Sequence, residues 1–119
     1  MLNISQAQMG QFGAYARERF VVGMVRHLRQ KFPDRAAGVS DDTLRALVHS
    51  GIRQAEAHDV VFEDDIRRFL EYLVIYGSPL DERPQAPWLG RILHRDDIDG
   101  AAKLDLIGEH ELALLRGQT

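Results

Sequence analysis

From Phe69 to Leu93 the chain reads FLEYLVIYGSPLDERPQAPWLGRIL, a segment that leaves the fold little freedom. Ile66, Phe69, Leu70, Leu73 and Val74 fall at i, i+3, i+4, i+7 and i+8, the apolar stripe of a helix. Tyr72, Ile75 and Tyr76 widen that stripe. A helix apolar around most of its circumference needs neighbours on more than one side, so this one is expected at the centre. Gly77 suits the C′ position, where a left-handed residue closes a helix and glycine adopts it without strain. Leu80 is expected to fold back against the last turn. Pro79, Pro84 and Pro87 restrict the connector in the unfolded chain, which lowers the entropic cost of ordering it. Pro87 fits the first position of a short helix over Trp88–Leu93. Trp88, the single tryptophan, has two readings. It is a core plug beneath a packed connector, or with the tyrosines, Tyr76 among them, it forms part of a binding surface.

Upstream, Ser5 with Gln8 reads as a capping box, opening a long helix from Gln6 to Phe32. Phe12, Ala16, Phe20, Met24, Leu28 and Phe32 recur every four residues. Strict fours drift around a helix of 3.6 residues per turn, so the buried stripe winds. Gly10, Gly13 and Gly23 each weaken such a helix by about 1 kcal/mol relative to alanine, and are expected at close helix–helix contacts. The opposite face carries Arg17, Arg19, Arg26, Arg29 and Lys31, with Arg35 after the turn. Only Glu18 and Asp34 oppose these six, a local charge of +4. Residues 61–119 hold seven basic and twelve acidic residues, or −5. The polarity is either a solvated face with internal ion pairs or a surface that steers an acidic partner.

Pro33 ends the first helix, because the residue before proline resists the helical region. Val39-Ser40-Asp41-Asp42-Thr43-Leu44 starts the second. Ser40 is the N-cap, the two aspartates complement the dipole, and Val39 with Leu44 forms a hydrophobic staple. Leu44, Leu47, Val48, Ile52 and Ala55 give its buried face, and it ends near His58. Val60-Val61-Phe62 is too short for a confident strand, and Glu63-Asp64-Asp65 opens the central helix. Asp96 or Asp97 is expected to cap a final helix to about Arg116, with Ile98, Ala101, Ala102, Leu104, Leu112, Leu114 and Leu115 as its apolar residues. The expected fold is all-α: a single compact bundle of four to five helices, with a long N-terminal helix and a proline-rich connector, over residues 1–119.

Composition narrows the function classes. A net charge of −3 argues against nucleic acid as the main partner, and the absence of cysteine excludes disulfides and thiolate metal sites. No apolar run approaches the roughly 18 residues of a membrane span, and the N-terminus lacks a signal-peptide layout. A cytoplasmic location is therefore expected, with no membrane partner. Asp97-Ile98-Asp99-Gly100 hints at a calcium loop, but its first and twelfth positions fall on Arg95 and Leu106, where carboxylates are needed. His110 between Glu109 and Glu111 is not a zinc-protease motif. His94 and Asp97 can face each other on one turn, and one pair is not a metal site. Surface or capping roles are expected for His27, His49, His58, His94 and His110. Adjacency of His49 and Ser50 does not create a triad. No glycine-rich phosphate loop is present. The expectation is a non-enzyme with no metal and no cofactor.

Four pieces carry a likeness to a known group of proteins. They are the amphipathic opening Ile4-Ser5-Gln6-Ala7-Gln8-Met9 with Phe12 behind it, Arg26-His27-Leu28-Arg29 leading to Phe32-Pro33, the His49-Ser50-Gly51-Ile52 turn of the second helix, and the connector from Tyr76-Gly77 to Pro87-Trp88. Over Ile4 to about Leu93 the chain resembles small all-helical bacterial accessory proteins encoded beside type VI secretion and polymorphic toxin genes. It departs from them at Ser78-Pro79-Leu80-Asp81, where an aromatic is expected between the glycine and the acid. The resemblance implies a non-catalytic protein-binding role, as adaptor or chaperone for a secreted effector. The alternatives are an immunity protein neutralising a cognate toxin and a structural oligomer subunit. Arg17, Arg19, Phe20, Met24, Arg26, Arg29, Tyr76 and Trp88 are the expected partner-binding residues.

Overall fold

The computed structural model describes residues 7–117, and over them the chain is all-α. Six helices follow one another: α1 (Ala14–Lys31), α2 (Pro33–Ala36), α3 (Asp41–Ala57), α4 (Glu63–Tyr76), α5 (Pro87–Leu93) and α6 (Gly100–Leu115). The single turn α2, begun by Pro33, takes the number beyond the four or five expected.

α4 is the central element. Ile66, Phe69, Leu70 and Leu73 are buried on it, and α3 packs on one side of it and α6 on another. Burying side chains of this size contributes about 1.5–3 kcal/mol each. α1 lies mainly on α3, while α5 and α6 close the other side. The result is a flat body of 43 × 40 × 23 Å. Gly77 ends α4 at a positive φ of 105° with ψ at 169°. That is the extended region reserved for glycine, and the expected left-handed helical conformation is not adopted. Leu80 nonetheless folds back and is fully buried, and its N–H donates to Gln54 Oε1.

The first helix is shorter than expected. A 3-10 turn spans Met9–Gln11, the chain extends at Phe12, and α1 begins after Gly13. The backbone before it pairs elsewhere: Met9 N–H donates to the Val61 carbonyl and Glu63 N–H to the Ala7 carbonyl, both at 2.9 Å. Those hydrogen bonds compete directly with helix, and Gly10 and Gly13 weaken the alternative. The expected Ser5 cap lies outside the described residues. Ala16, assigned to the buried stripe, is exposed.

The glycines are also redistributed. A Cβ on Gly10, Gly13 or Gly23 meets nothing within 4 Å among the described residues. An added Cβ would instead collide with the Leu70 and Leu73 side chains at Gly51, with the Asp81 carbonyl at Gly90 and with the Asp59 carbonyl at Gly100. At the start of α6 the cap is Asp99, not Asp96 or Asp97. Its Oδ1 accepts from Ala102 N–H at 2.9 Å, while Asp97 pairs with Arg95. Ser40 caps α3 as expected, accepting from Thr43 N–H at 3.1 Å.

Candidate protein-docking surface

α1 buries Phe20, Val21, Met24 and Leu28. With 3.6 residues per turn, that leaves Tyr15, Arg19, Val22 and Arg26, at i, i+4, i+7 and i+11, on the outward face. Tyr15 is 77% exposed and Val22 44%. The Arg19 guanidinium lies 5.9 Å from the centre of the Tyr15 ring, a cation–π contact that lays the two side chains along the helix. Glu18 is paired with Arg45 of α3. Among the described residues Arg19 and Arg26 have no ion-pair partner. Together with the bare backbone of Gly23 these side chains enclose a shallow depression of about 390 Å³.

A second depression, of about 410 Å³, lies where α1, α2, α3 and α4 meet. Leu28, Phe32, Leu44, Leu47 and Val74 line it. Arg35 stands at its edge, and its Nη1 donates to the Val74 and Ile75 carbonyls at 3.2 and 3.3 Å. This satisfies carbonyls in the last turn of α4 and places positive charge at the negative end of its dipole.

The basic residues therefore divide into two sets. Arg29 donates to Asp41 and to the Ala36 and Val39 carbonyls, holding α1, α2 and the start of α3 together. Lys31 Nζ is 2.9 Å from Glu71 Oε1, and His27 Nε2 is 2.6 Å from Glu71 Oε2. Burial alone would raise the Glu71 carboxyl, but the hydrogen bonds from His27 and Lys31 outweigh it and hold the group below its ordinary range. Arg29, Lys31 and Arg35 are structural links, whereas Arg19 and Arg26 face outward.

Of the residues expected to bind a partner, Arg17, Arg19 and Arg26 sit on α1 as anticipated. Phe20 and Met24 do not act as surface anchors, because both are buried in the core. Strict four-residue spacing shows that they share a face, but not that the face points inward. The exposed apolar residues are instead Tyr15 and Val22. Tyr76 and Trp88 belong to the seam between α4, α5 and α6. Tyr76 Oη donates to Glu111 Oε2 at 2.7 Å, and burial with this carboxylate pushes its phenol well above the ordinary range. Trp88 is half-buried, short of the largely buried plug expected, and stacks on His110 with ring centres 4.1 Å apart.

Neither a protein-family model, nor a curated protein, nor a solved structure matches this chain.

Sequence reasoning missed one cluster. His94 Nε2 lies 2.9 Å from Asp81 Oδ2, and His58 Nε2 lies 3.6 Å from the same oxygen. His94 thus pairs with Asp81 and not with Asp97. Lys103, only 5% exposed, donates to the His58 carbonyl at 2.9 Å. A buried ammonium needs such an acceptor, and here it also covers the carbonyl end of α3. The cluster joins α3, α5 and α6 to the proline-rich connector. Residues 36 and 45 positions apart (His58 with His94 and with Lys103) carry no local signal of this meeting. Among the described residues no three histidine, aspartate or glutamate side chains are placed to hold a metal ion. No helix among them is long and apolar enough to cross a membrane.

Proposed function

We propose that this protein is a non-catalytic protein-binding accessory protein, and that the outward face of α1 is its docking surface. One observation carries the reading: Tyr15 and Val22 are exposed on one stripe with Arg19 and Arg26, which have no ion-pair partner among the described residues. Such a face fits an acidic, partly apolar segment of another protein. Apolar anchors at the centre of an interface supply most of the affinity, while arginines around them raise the association rate and suppress wrong partners. The groove lined by Leu28, Phe32 and Leu47 lies on the inward side of α1, apart from this face.

The resemblance to accessory proteins encoded beside type VI secretion genes supports an effector adaptor or chaperone over other binding roles. An immunity protein is the second reading, and it separates cleanly. A chaperone is recovered with its effector before secretion, whereas an immunity protein protects cells from a toxin that kills without it.

The test is co-expression with each neighbouring gene product, followed by size-exclusion chromatography. One neighbour is expected to co-elute, and Arg19→Glu with Arg26→Glu is expected to slow its association, most at low salt, with folding intact. If no neighbour co-elutes, and the protein alone turns over a substrate or shifts DNA at physiological salt, the reading is dropped.

A further inference from the structure

The end of α6 does not join the core. Leu104 and Ile107 are buried, but Leu112 is 50% exposed and Leu115 83%. Gly108, Leu112 and Leu115 fall at i, i+4 and i+7, a single stripe of the helix. With Tyr76 and Leu114 they border a depression of about 320 Å³. Asp105, Glu109 and Glu111 lie on the half of α6 beyond Lys103, which holds no lysine or arginine before Arg116. Asp105 is paired with Arg68 and Glu111 accepts from Tyr76, while Glu109 is exposed with no ion-pair partner among the described residues. An apolar helical stripe with acidic flanks is what the α1 face is suited to receive.

The two stripes match in more than charge. Tyr15, Arg19, Val22 and Arg26 on α1 have the same helical period as Gly108, Leu112 and Leu115 on α6, so two such helices can lie side by side. Gly23 on α1, where an added Cβ would meet nothing within 4 Å, leaves room for close approach. Within one molecule α1 packs mainly on α2 and α3, and α6 on α4 and α5.

We propose that the α6 leucine stripe of one copy docks on the α1 face of a second copy, forming a head-to-tail assembly. The inference rests on the reading of α1 as a docking face and names a second copy of this chain as one occupant. Because the two surfaces differ, the contact is heterologous, and it adds copies until the rotation closes a ring or continues as a filament. A copy whose α1 face is filled in this way is closed to other partners, so self-assembly and partner binding compete.

Sedimentation velocity across the micromolar to millimolar range tests this. The average mass of the natural protein is expected to rise with concentration and to fall with added salt, as screening weakens the Arg–Glu attraction. Leu115→Lys alone and Arg19→Glu with Arg26→Glu alone are each expected to remain monomeric, with unchanged helical circular dichroism. Mixing the two variants restores one intact α1 face and one intact α6 stripe. The mixture is expected to stop at a dimer, since neither end of that pair can add another copy. A natural protein that stays monomeric throughout, a variant that still dimerises by itself, or a mixture that stays monomeric overturns the proposal. The α1 docking reading fails separately: it falls if the Arg19→Glu, Arg26→Glu variant associates with its neighbour-encoded partner as rapidly as the natural protein at low salt.

Discussion

Gly100 shows how narrow the tolerance is for a single residue. A Cβ there would stand 2.0 Å from the Asp59 carbonyl oxygen and 2.7 Å from Val60 Cα. Both obstacles are backbone, so α6 as a whole must shift. Gly100→Ala is expected to destabilise the fold by about 1–3 kcal/mol or more, the range for overpacking. Gly23 supplies the contrast. It sits inside α1 with open space around it, and Gly23→Ala is expected to stabilise by about 0.5–1 kcal/mol through helix propensity. Urea unfolding of the two variants checks the pair, and equal effects of the same sign would show the contacts to be misplaced. Both are interior glycines by sequence, and nothing local separates them.

At the level of elements, the junction of α3, α5 and α6 responds to pH. Burial lowers the His58 imidazole below its ordinary value of 6.5. Asp81 opposes that shift, while His94 and Lys103 reinforce it. The ring also faces Phe69. A histidine lowered on folding binds its proton more readily in the unfolded chain. Its contribution is therefore complete above about pH 6.5 and declines as pH falls through that value toward the folded one. Stability is expected to decrease as pH falls below about 6.5, and His58→Gln is expected to flatten that part of the curve. Chemical unfolding at a series of pH values measures it, and an unchanged slope in the variant would remove His58 from the account.

For the molecule as a whole, charge and apolar exposure are arranged at two separate places. The outward face of α1 carries Arg19 and Arg26, without ion-pair partners among the described residues, beside Tyr15 and Val22, and the end of α6 carries exposed leucines among acids. Among the described residues no three histidine, aspartate or glutamate side chains are placed to hold a metal ion at either place. Asp97 is held by Arg95, Asp99 caps α6, and the His58–Asp81–His94 group lacks metal-binding geometry. Thermal unfolding with EDTA, with calcium and with zinc is expected to coincide. A saturable rise of several degrees with one of these metals would contradict this, because a ligand bound to the native state stabilises it.

The sequence by itself determined what depends on near neighbours along the chain. Ser40 caps α3, Pro33 follows the end of α1, Pro87 starts α5, Gly77 ends α4 at positive φ, and the period of Ile66 to Leu73 marks the buried face of the central helix. Each is a matter of backbone geometry or spacing within a few residues, so composition and order suffice. Only the tertiary structure decided which glycines touch a backbone, and which aspartate caps α6. The contact of Gly100 with Asp59 fixes where that helix can begin. Tertiary structure also decided which arginines face outward. Arg19 and Arg29 look alike in sequence, but the Ala36 and Val39 carbonyls and Asp41 converge on Arg29, and among the described residues no carbonyl or carboxylate meets Arg19. Fours along α1 place Phe20 and Met24 on one face, but only the packing of α3 and α4 against that face makes it the core. Whether a helical face points inward or outward depends on elements brought to it from distant parts of the chain, and no local pattern contains that.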